Sequence, residues 1–266
     1  MIDKNRHIDI MGIINLTDDS YFSQSRCADV DTAVRRVGKM LEEGADIIDI
    51  GACSTRPGAR PVGAQREWER IGSVLKALRE NYPEARISID TYWSEVVRQA
   101  YDLIGDFIVN DISAGEDDPE MLPLVGQLGL PYVAMHKRGN PETMQSLTGY
   151  DDVVSEVLAF FNDFAVKAET YGIREWILDP GFGFAKTVEQ NYQLLRALET
   201  FRTCGRPVLV GVSRKSMIYR FLDICPEDAL PATQVLHFKA LQCGADILRV
   251  HDVAEAVRTV RLYKNL

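Results

Sequence analysis

The chain has 266 residues, 46% of them hydrophobic and 26% charged, which is enough apolar content to bury a full core. Its formal net charge of −9 excludes the broad basic face that a nucleic-acid partner requires, although a few cations focused in a cleft can still hold an anionic small molecule. The five cysteines (Cys27, Cys53, Cys204, Cys225 and Cys243) form no CxxC pair or zinc-like cluster, MIDKNRHIDIM has no apolar signal core, and no run is long enough to span a bilayer; together these point to reduced thiols in a cytoplasmic protein with no membrane partner.

Along the chain, short apolar runs rich in Ile and Val recur eight times, at 8–15, 46–52, 86–91, 106–113, 131–137, 176–181, 207–214 and 247–252. They are nearly continuous in apolar residues, as parallel strands covered on both faces are. Segments of helical period lie between them. DTAVRRVGKMLEEG (31–44) puts Val34, Val37, Met40 and Leu41 on one face and stops at Gly44. Further helices are predicted at 64–81, 93–104, 121–129, 151–172, 188–201, 231–244 and 253–264. No linker or composition shift divides the alternation, so the expected fold is α/β, a single (β/α)8 TIM barrel of eight parallel strands spanning residues 1–266. The rival, an open doubly wound sheet, lacks its Gly-rich turn after the first strand.

Polar residues gather where the strands end: Asn15, Asp49, Asp90, Asn110 with Asp111, His136, Asp179, Ser213 with Arg214 and Lys215, and Arg249 with His251. In a barrel those ends form one rim, where such proteins place their chemistry. Any one carboxylate there could simply cap the next helix, but capping does not account for polar residues at all eight ends. Asp90, Asn110, Asp179 and Lys215 offer mixed donors and acceptors to the edge of a flat heterocycle. Asn15, Thr55, Arg56, Arg249 and His251 offer the donors a phosphate or diphosphate needs. Asn15 is also a hard oxygen ligand able to share Mg²⁺ with a bound phosphate. The loop Ser54-Thr55-Arg56-Pro57-Gly58 has too many donors for an inert turn.

MGIINLTDDSYF (11–22), GADIIDIGACSTRPGA (44–59), ISIDT (87–91), VNDIS (109–113), MHKRGNPETMQ (135–145), DPGFGFAKT (179–187), VLVGVSRKSM (208–217) and LRVHDVAE (248–255) together closely resemble the dihydropteroate synthase family, over essentially the whole chain. The resemblance implies condensation of 6-hydroxymethyl-7,8-dihydropterin diphosphate with p-aminobenzoate, giving 7,8-dihydropteroate and pyrophosphate, with Mg²⁺ as cofactor and a homodimer as the assembly. Carried over position by position, it implies a pterin pocket of Asp90, Asn110, Met135, Asp179, Phe184, Gly211, Lys215 and Arg249. It places the diphosphate at Asn15, Thr55, Arg56, Arg249 and His251, the metal at Asn15, and the aminobenzoate near Tyr21, Pro57, Lys215 and Ser216. Asp90, Asp179, Lys215, Arg249 and His251 are the implied catalytic set. The chain departs from the family pattern in its first loop, Thr17-Asp18-Asp19-Ser20-Tyr21-Phe22-Ser23-Gln24-Ser25, which lacks the usual Pro, second acid and glycines. It departs also at Ala52-Cys53, in place of Gly-Glu, and at Ala185, in place of a frequent Gly. Two alternatives are a non-catalytic pterin-binding paralogue and a pterin-dependent methyltransferase; the latter has no use for Ser54–Pro57 or Ser213–Ser216.

Overall fold

A computed structural model of the chain describes residues 6–16, 26–52, 63–140 and 143–266. Strands β1 (Asp9–Asn15), β2 (Ile47–Gly51), β3 (Arg86–Asp90), β4 (Ile108–Asp111), β5 (Tyr132–Met135), β6 (Trp176–Asp179), β7 (Leu209–Val210) and β8 (Ile247–Val250) lie in one sheet. Between and after them run α1 (Arg26–Glu43), α2 (Ala64–Asn81), α3 (Ser94–Ile104), α4 (Met121–Leu128), α5 (Val153–Tyr171), α6 (Val188–Arg196), α7 (Ser216–Leu222), α8 (Leu230–Gln242) and α9 (Val253–Asn265). Every strand pair is parallel, in the order β6-β5-β4-β3-β2-β1-β8-β7. A single bridge, Leu178 to Val208, with the Leu178 N–H donating to the Pro207 carbonyl at 3.0 Å, joins β6 to β7 and closes the expected barrel. None of the described helices is long and apolar enough to cross a membrane.

The pleat sorts the strand residues. Side chains alternate across a strand, so register fixes which residues share the barrel interior. Ile47, Asp49 and Gly51 stand level with Arg86, Ser88 and Asp90, and Ser88 and Asp90 level with Ile108 and Asn110. Asn110 leads to Val133, Val133 and Met135 to Ile177 and Asp179, and Met11 to both Ile47 and Arg249. The lower inward layer is apolar: Met11, Ile47, Ile108, Val133, Leu209 and Ile247 form a separate core cluster with Ile177 against it. One pleat higher the inward residues turn polar. The outward residues, among them Ile48, Ile50, Ile89, Val109, Leu178 and Val250, join the larger core beneath the helices.

Local signals place the helix ends. Gly44 takes φ +101° after α1, and the Ala45 N–H closes back on the Met40 carbonyl at 2.9 Å, the ending a left-handed glycine permits. Asp152 caps α5 by accepting from the Val154 N–H, and Thr187 with Gln190 forms a reciprocal capping box at α6. The predicted helix at 188–201 is instead α6 followed by a 3₁₀ segment, Leu198–Cys204, and α1 begins five residues earlier than its apolar period suggested. Of the predicted strand at 207–214 only Leu209 and Val210 keep the ladder.

His237 on α8 is fully buried; its Nδ1 lies 3.3 Å from Gln234 Oε1, and its Nε2 has no hydrogen-bond partner among the described residues. Burial lowers its pKa from 6.5 to about 4. Below about pH 6.5 the unfolded chain therefore takes up a proton that the folded chain refuses until about pH 4, so this contribution to stability is full above that window and lost as pH falls through it. The expected slope is about 1.4 kcal/mol per pH unit. His237→Gln should remove it: urea titrations should show the stability gap between the two proteins narrowing as pH falls from about 6.5 to about 4.5. Parallel pH profiles would rule this out.

Candidate active site

Arg249, one residue before the end of β8, extends across the barrel interior. Its Nε donates to Asp49 Oδ2 at 2.7 Å, and its Nη2 reaches Asp49 Oδ2 at 2.6 Å and Asp90 Oδ2 at 2.7 Å. Asp49 is fully buried and accepts further from Ser88 Oγ at 2.6 Å and from Asn110 Nδ2 at 3.2 Å. The network thus ties β2, β3, β4 and β8 together at one level. Met135 and Asp179 continue the inward ring from β5 and β6, and Gly211 follows β7.

The loop after β6 and the segment after β7 meet above this ring. The Gly181 N–H donates to Asp179 Oδ1 at 2.8 Å, and Gly181 sits at φ +70°, where a Cβ would lie 2.0 Å from the His136 carbonyl oxygen. Only glycine fits there. Lys215 Nζ donates to the Phe182 carbonyl at 2.5 Å and lies 5.1 Å from the centre of the Phe184 ring. A Cβ on Gly211 would stand 3.7 Å from Lys215 Nζ and 3.9 Å from Arg249 Cβ, an ordinary contact. The protein's own packing therefore does not demand glycine at 211, and its hydrogen leaves space between the two cations.

The charges are poised by enclosure. Burial raises Asp90 to about 7 against the pull of Arg249, with Asp49 adding to the rise. Burial also raises Asp179, opposed by Lys215 and by the Gly181 N–H. Lys215 is lowered to about 8 by burial, with Asp179 resisting. Burial alone would lower Arg249, but Asp49 and Asp90 more than reverse this and hold it firmly charged. His251 is lowered to about 4 by burial and by Arg249, so it is a neutral imidazole at pH 7. Ser213 Oγ accepts the His251 backbone N–H at 3.2 Å and lies 3.0 Å from its Nδ1, which orients the ring.

The structure thus brings Asp90, Asn110, Met135, Asp179, Phe184, Gly211, Lys215, Arg249 and His251 to one mouth of the barrel, with Asn15 at the end of β1 and Ser216 opening α7. Tyr21, Thr55, Arg56 and Pro57 lie outside the described residues, as do Cys53 and the rest of both loops. Four residues read from sequence as rim groups behave otherwise. Asp49 is inside the strand, below the rim. Asp111 faces outward and is consumed by the Tyr132 hydroxyl at 2.6 Å and by the N–H groups of Ser113 and Gly115. His136 follows an inward Met135, so it too faces outward, edge-on to Phe160. Arg214 pairs with Asp252 and holds the Glu227 carbonyl. The sequence reading missed Asp49 as the partner of Arg249; their opposite charges on inward strand positions were the available signal. It missed also the buried Lys186.

Among the described residues the other mouth offers no such set. A depression of about 990 Å³ opens there beside Arg86, Trp176 and Asp246, but Arg86 is taken by Asp9 and Arg202 by Asp246. Among the described residues the one His/Asp grouping of metal-ligand spacing, His7, Asp9 and Asp46, also lies at that end, with Arg86 already on Asp9.

An α/β barrel that gathers three carboxylates, an asparagine amide and two cations at one mouth has the build of a barrel enzyme. The family model for pterin-binding enzymes matches residues 11–251, and the chain belongs to that family, among the dihydropteroate synthases. It is 44% identical over 256 residues to the dihydropteroate synthase of Synechocystis sp., covering 95% of this chain and 88% of that one. The dihydropteroate synthase of Clostridium difficile, solved in the presence of pteroic acid, superposes with a TM-score of 0.91 at 34% identity, covering 100% of this chain and 98% of that one. The enzyme of Xanthomonas albilineans, solved with 4-aminobenzoic acid, gives a TM-score of 0.89 at 37% identity, covering 98% and 93%.

Arg249 is the sole cation bonded to Asp49 among the described residues. Arg249→Met should leave Asp49 and Asp90 enclosed without it and destabilise the fold by about 3–5 kcal/mol, the usual consequence of removing one partner from a buried pair. Chemical denaturation at pH 7 measures this, and a loss below about 1 kcal/mol would show that the carboxylates do not depend on it.

Proposed function

We propose that this chain condenses 6-hydroxymethyl-7,8-dihydropterin diphosphate with p-aminobenzoate, releasing pyrophosphate and 7,8-dihydropteroate, as a single pterin-binding domain acting in the cytoplasm. The observation that carries the reading is the gathering of Asp90, Asn110, Asp179, Lys215 and Arg249 at one mouth of the barrel beside Gly211. A dihydropterin edge presents several N–H donors, and carboxylates facing them make charge-assisted bonds. Asp179, with Oδ1 on the Gly181 N–H and Lys215 near, is the carboxylate not bonded to Arg249 in this structure and takes the donor edge. Asn110 and Lys215 meet the ring's acceptors, Asp90 adds a second carboxylate, and Met135 and Phe184 supply apolar contact.

The reaction breaks the bond between the pterin methylene carbon and the diphosphate oxygen and forms one from that carbon to the aromatic amine, which then sheds a proton. No side-chain nucleophile takes part. Negative charge grows on the departing diphosphate and positive charge on the pterin methylene. Arg249 and the neutral N–H of His251 answer the first, with Thr55 and Arg56 of the second loop; Asp90 and Asp179 answer the second. The aminobenzoate is assigned to Lys215 and Ser216, and the family resemblance adds Tyr21 and Pro57, which lie outside the described residues. Asn15 provides one neutral oxygen at the rim, with no carboxylate cage among the described residues at that mouth. Such a donor suits a Mg²⁺ held mainly by phosphate oxygens and water, which would help neutralise the leaving group. A homodimer is part of the reading; Phe221 on α7 and Val235 on α8, each 67% exposed, offer apolar surface to a second copy.

Mixing the protein with the pterin diphosphate, p-aminobenzoate and Mg²⁺ should release pyrophosphate in a coupled assay. Folded protein that binds a pterin without releasing pyrophosphate would identify a non-catalytic binder instead. Asp179→Asn keeps the size of the side chain but turns one acceptor toward a donor, and should weaken pterin binding by about 1.5–3 kcal/mol in calorimetry. Affinity within twofold of the parent would remove Asp179 from the pocket.

A further inference from the structure

Lys186 is 4% exposed, in the chain segment that leads from β6 to α6. Its ammonium is ringed by acceptors: the Phe184 carbonyl at 2.9 Å, the Gly181 carbonyl at 3.0 Å and His136 Nδ1 at 3.0 Å, with the His136 carbonyl looser at 3.4 Å. An ammonium has three protons and no lone pair, so the three near acceptors use it fully. Burial lowers Lys186 to about 7 against the pull of Asp179, so below that pH it is an ammonium, His136 Nδ1 is the acceptor and the ring carries its proton on Nε2. Burial and Lys186 keep that imidazole neutral, lowering His136 to about 2.

The bonded groups are not scattered. Gly181 donates its own N–H to Asp179, Phe184 N–H closes on the Gly181 carbonyl at 3.1 Å, and the Phe182 carbonyl between them receives Lys215. The loop is therefore pinned on one side by Lys186 and on the other by Lys215. Its backbone needs pinning: Ala185 sits at φ +50°, a left-handed conformation that is unfavourable for a residue with a Cβ. Asn191 assists from α6, its Oδ1 accepting the Gly183 N–H at 2.7 Å.

We infer that Lys186 is a positioning residue for the pterin pocket, its buried ammonium clamping the loop of Asp179 and Phe184 to His136 at the end of β5. It touches no substrate. It fixes the Asp179 carboxylate through Gly181 and the Phe184 ring through that residue's carbonyl, and it holds both against the strand that carries Met135. The inference rests on the proposed pterin pocket.

The test is Lys186→Ala, with pteroic acid binding measured by calorimetry well below the variant's melting temperature, with and without methylammonium. Affinity should fall at least tenfold and recover substantially when the small cation fills the vacated space. The KM for the pterin diphosphate should rise with it, by a larger factor than kcat falls. A folded variant that is merely less stable, with pterin affinity within twofold of the parent, overturns the inference and leaves the proposed function standing; failure of the parent protein to bind pteroic acid overturns both. Should the variant not fold, the unaltered protein decides. In its ¹⁵N spectrum at pH 6, where Lys186 is charged and His136 still neutral, His136 should show an unprotonated, hydrogen-bonded Nδ1 whose shift moves when pteroic acid binds. A protonated Nδ1, or a shift indifferent to the ligand, overturns the clamp.

Discussion

The structure turns on a guanidinium held between two carboxylates inside a barrel. Arg249 cannot give up its charge, and Asp49, fully buried beside it, gives the charge a permanent partner. With Asp49 occupied by Arg249, Ser88 and Asn110, the side chains of four strands are locked at one height. Asp90, sharing the same guanidinium, is left between charged and neutral states by its enclosure. A group so placed responds to whatever enters the mouth. Buried ion pairs commonly add little net stability, and this one serves to fix positions at the site.

The two-residue pleat explains why binding groups and packing groups alternate so closely in this chain. Asn110 faces the barrel centre while Asp111, its neighbour, is spent on a tyrosine hydroxyl beneath a helix. Met135 faces inward and His136 outward, into aromatic neighbours and Lys186. Ser213 and His251 form one pair at the rim, while Arg214, between Ser213 and Lys215, turns away to Asp252. Residue type alone does not separate these roles; strand register does.

That accounts for what the sequence made legible. Eight apolar runs alternating with helical segments were enough for the barrel, because parallel strands buried on both faces and amphipathic helices leave different periodicities. The gathering of polar residues at the strand ends located the mouth, and Asp90, Asn110, Asp179 and Arg249, which the family resemblance names, face the barrel interior. Polarity alone admitted Asp111 and His136 and set Asp49 too high, since a strand end seen in one dimension has no inside. Lys186 escaped because, apart from His136 Nδ1, its partners are backbone carbonyls, which every residue possesses and no sequence pattern marks. The 3₁₀ stretch after α6 and the shortness of β7 were hidden for a similar reason: ladder bonds depend on the neighbouring strand's path.

The β6–β7 joint, closed by one bridge, bears on how the barrel answers its ligands. Asp179 stands on one side of that joint and Gly211 with Lys215 on the other, so a molecule held by both spans the least-bonded seam of the wall. Binding there acts as a cross-brace. A ligand present at a hundred times its dissociation constant adds about 2.7 kcal/mol to the closed state by mass action alone. In this architecture the added stability falls on the joint with the fewest hydrogen bonds of its own, so that occupancy and the mechanical integrity of the barrel are coupled.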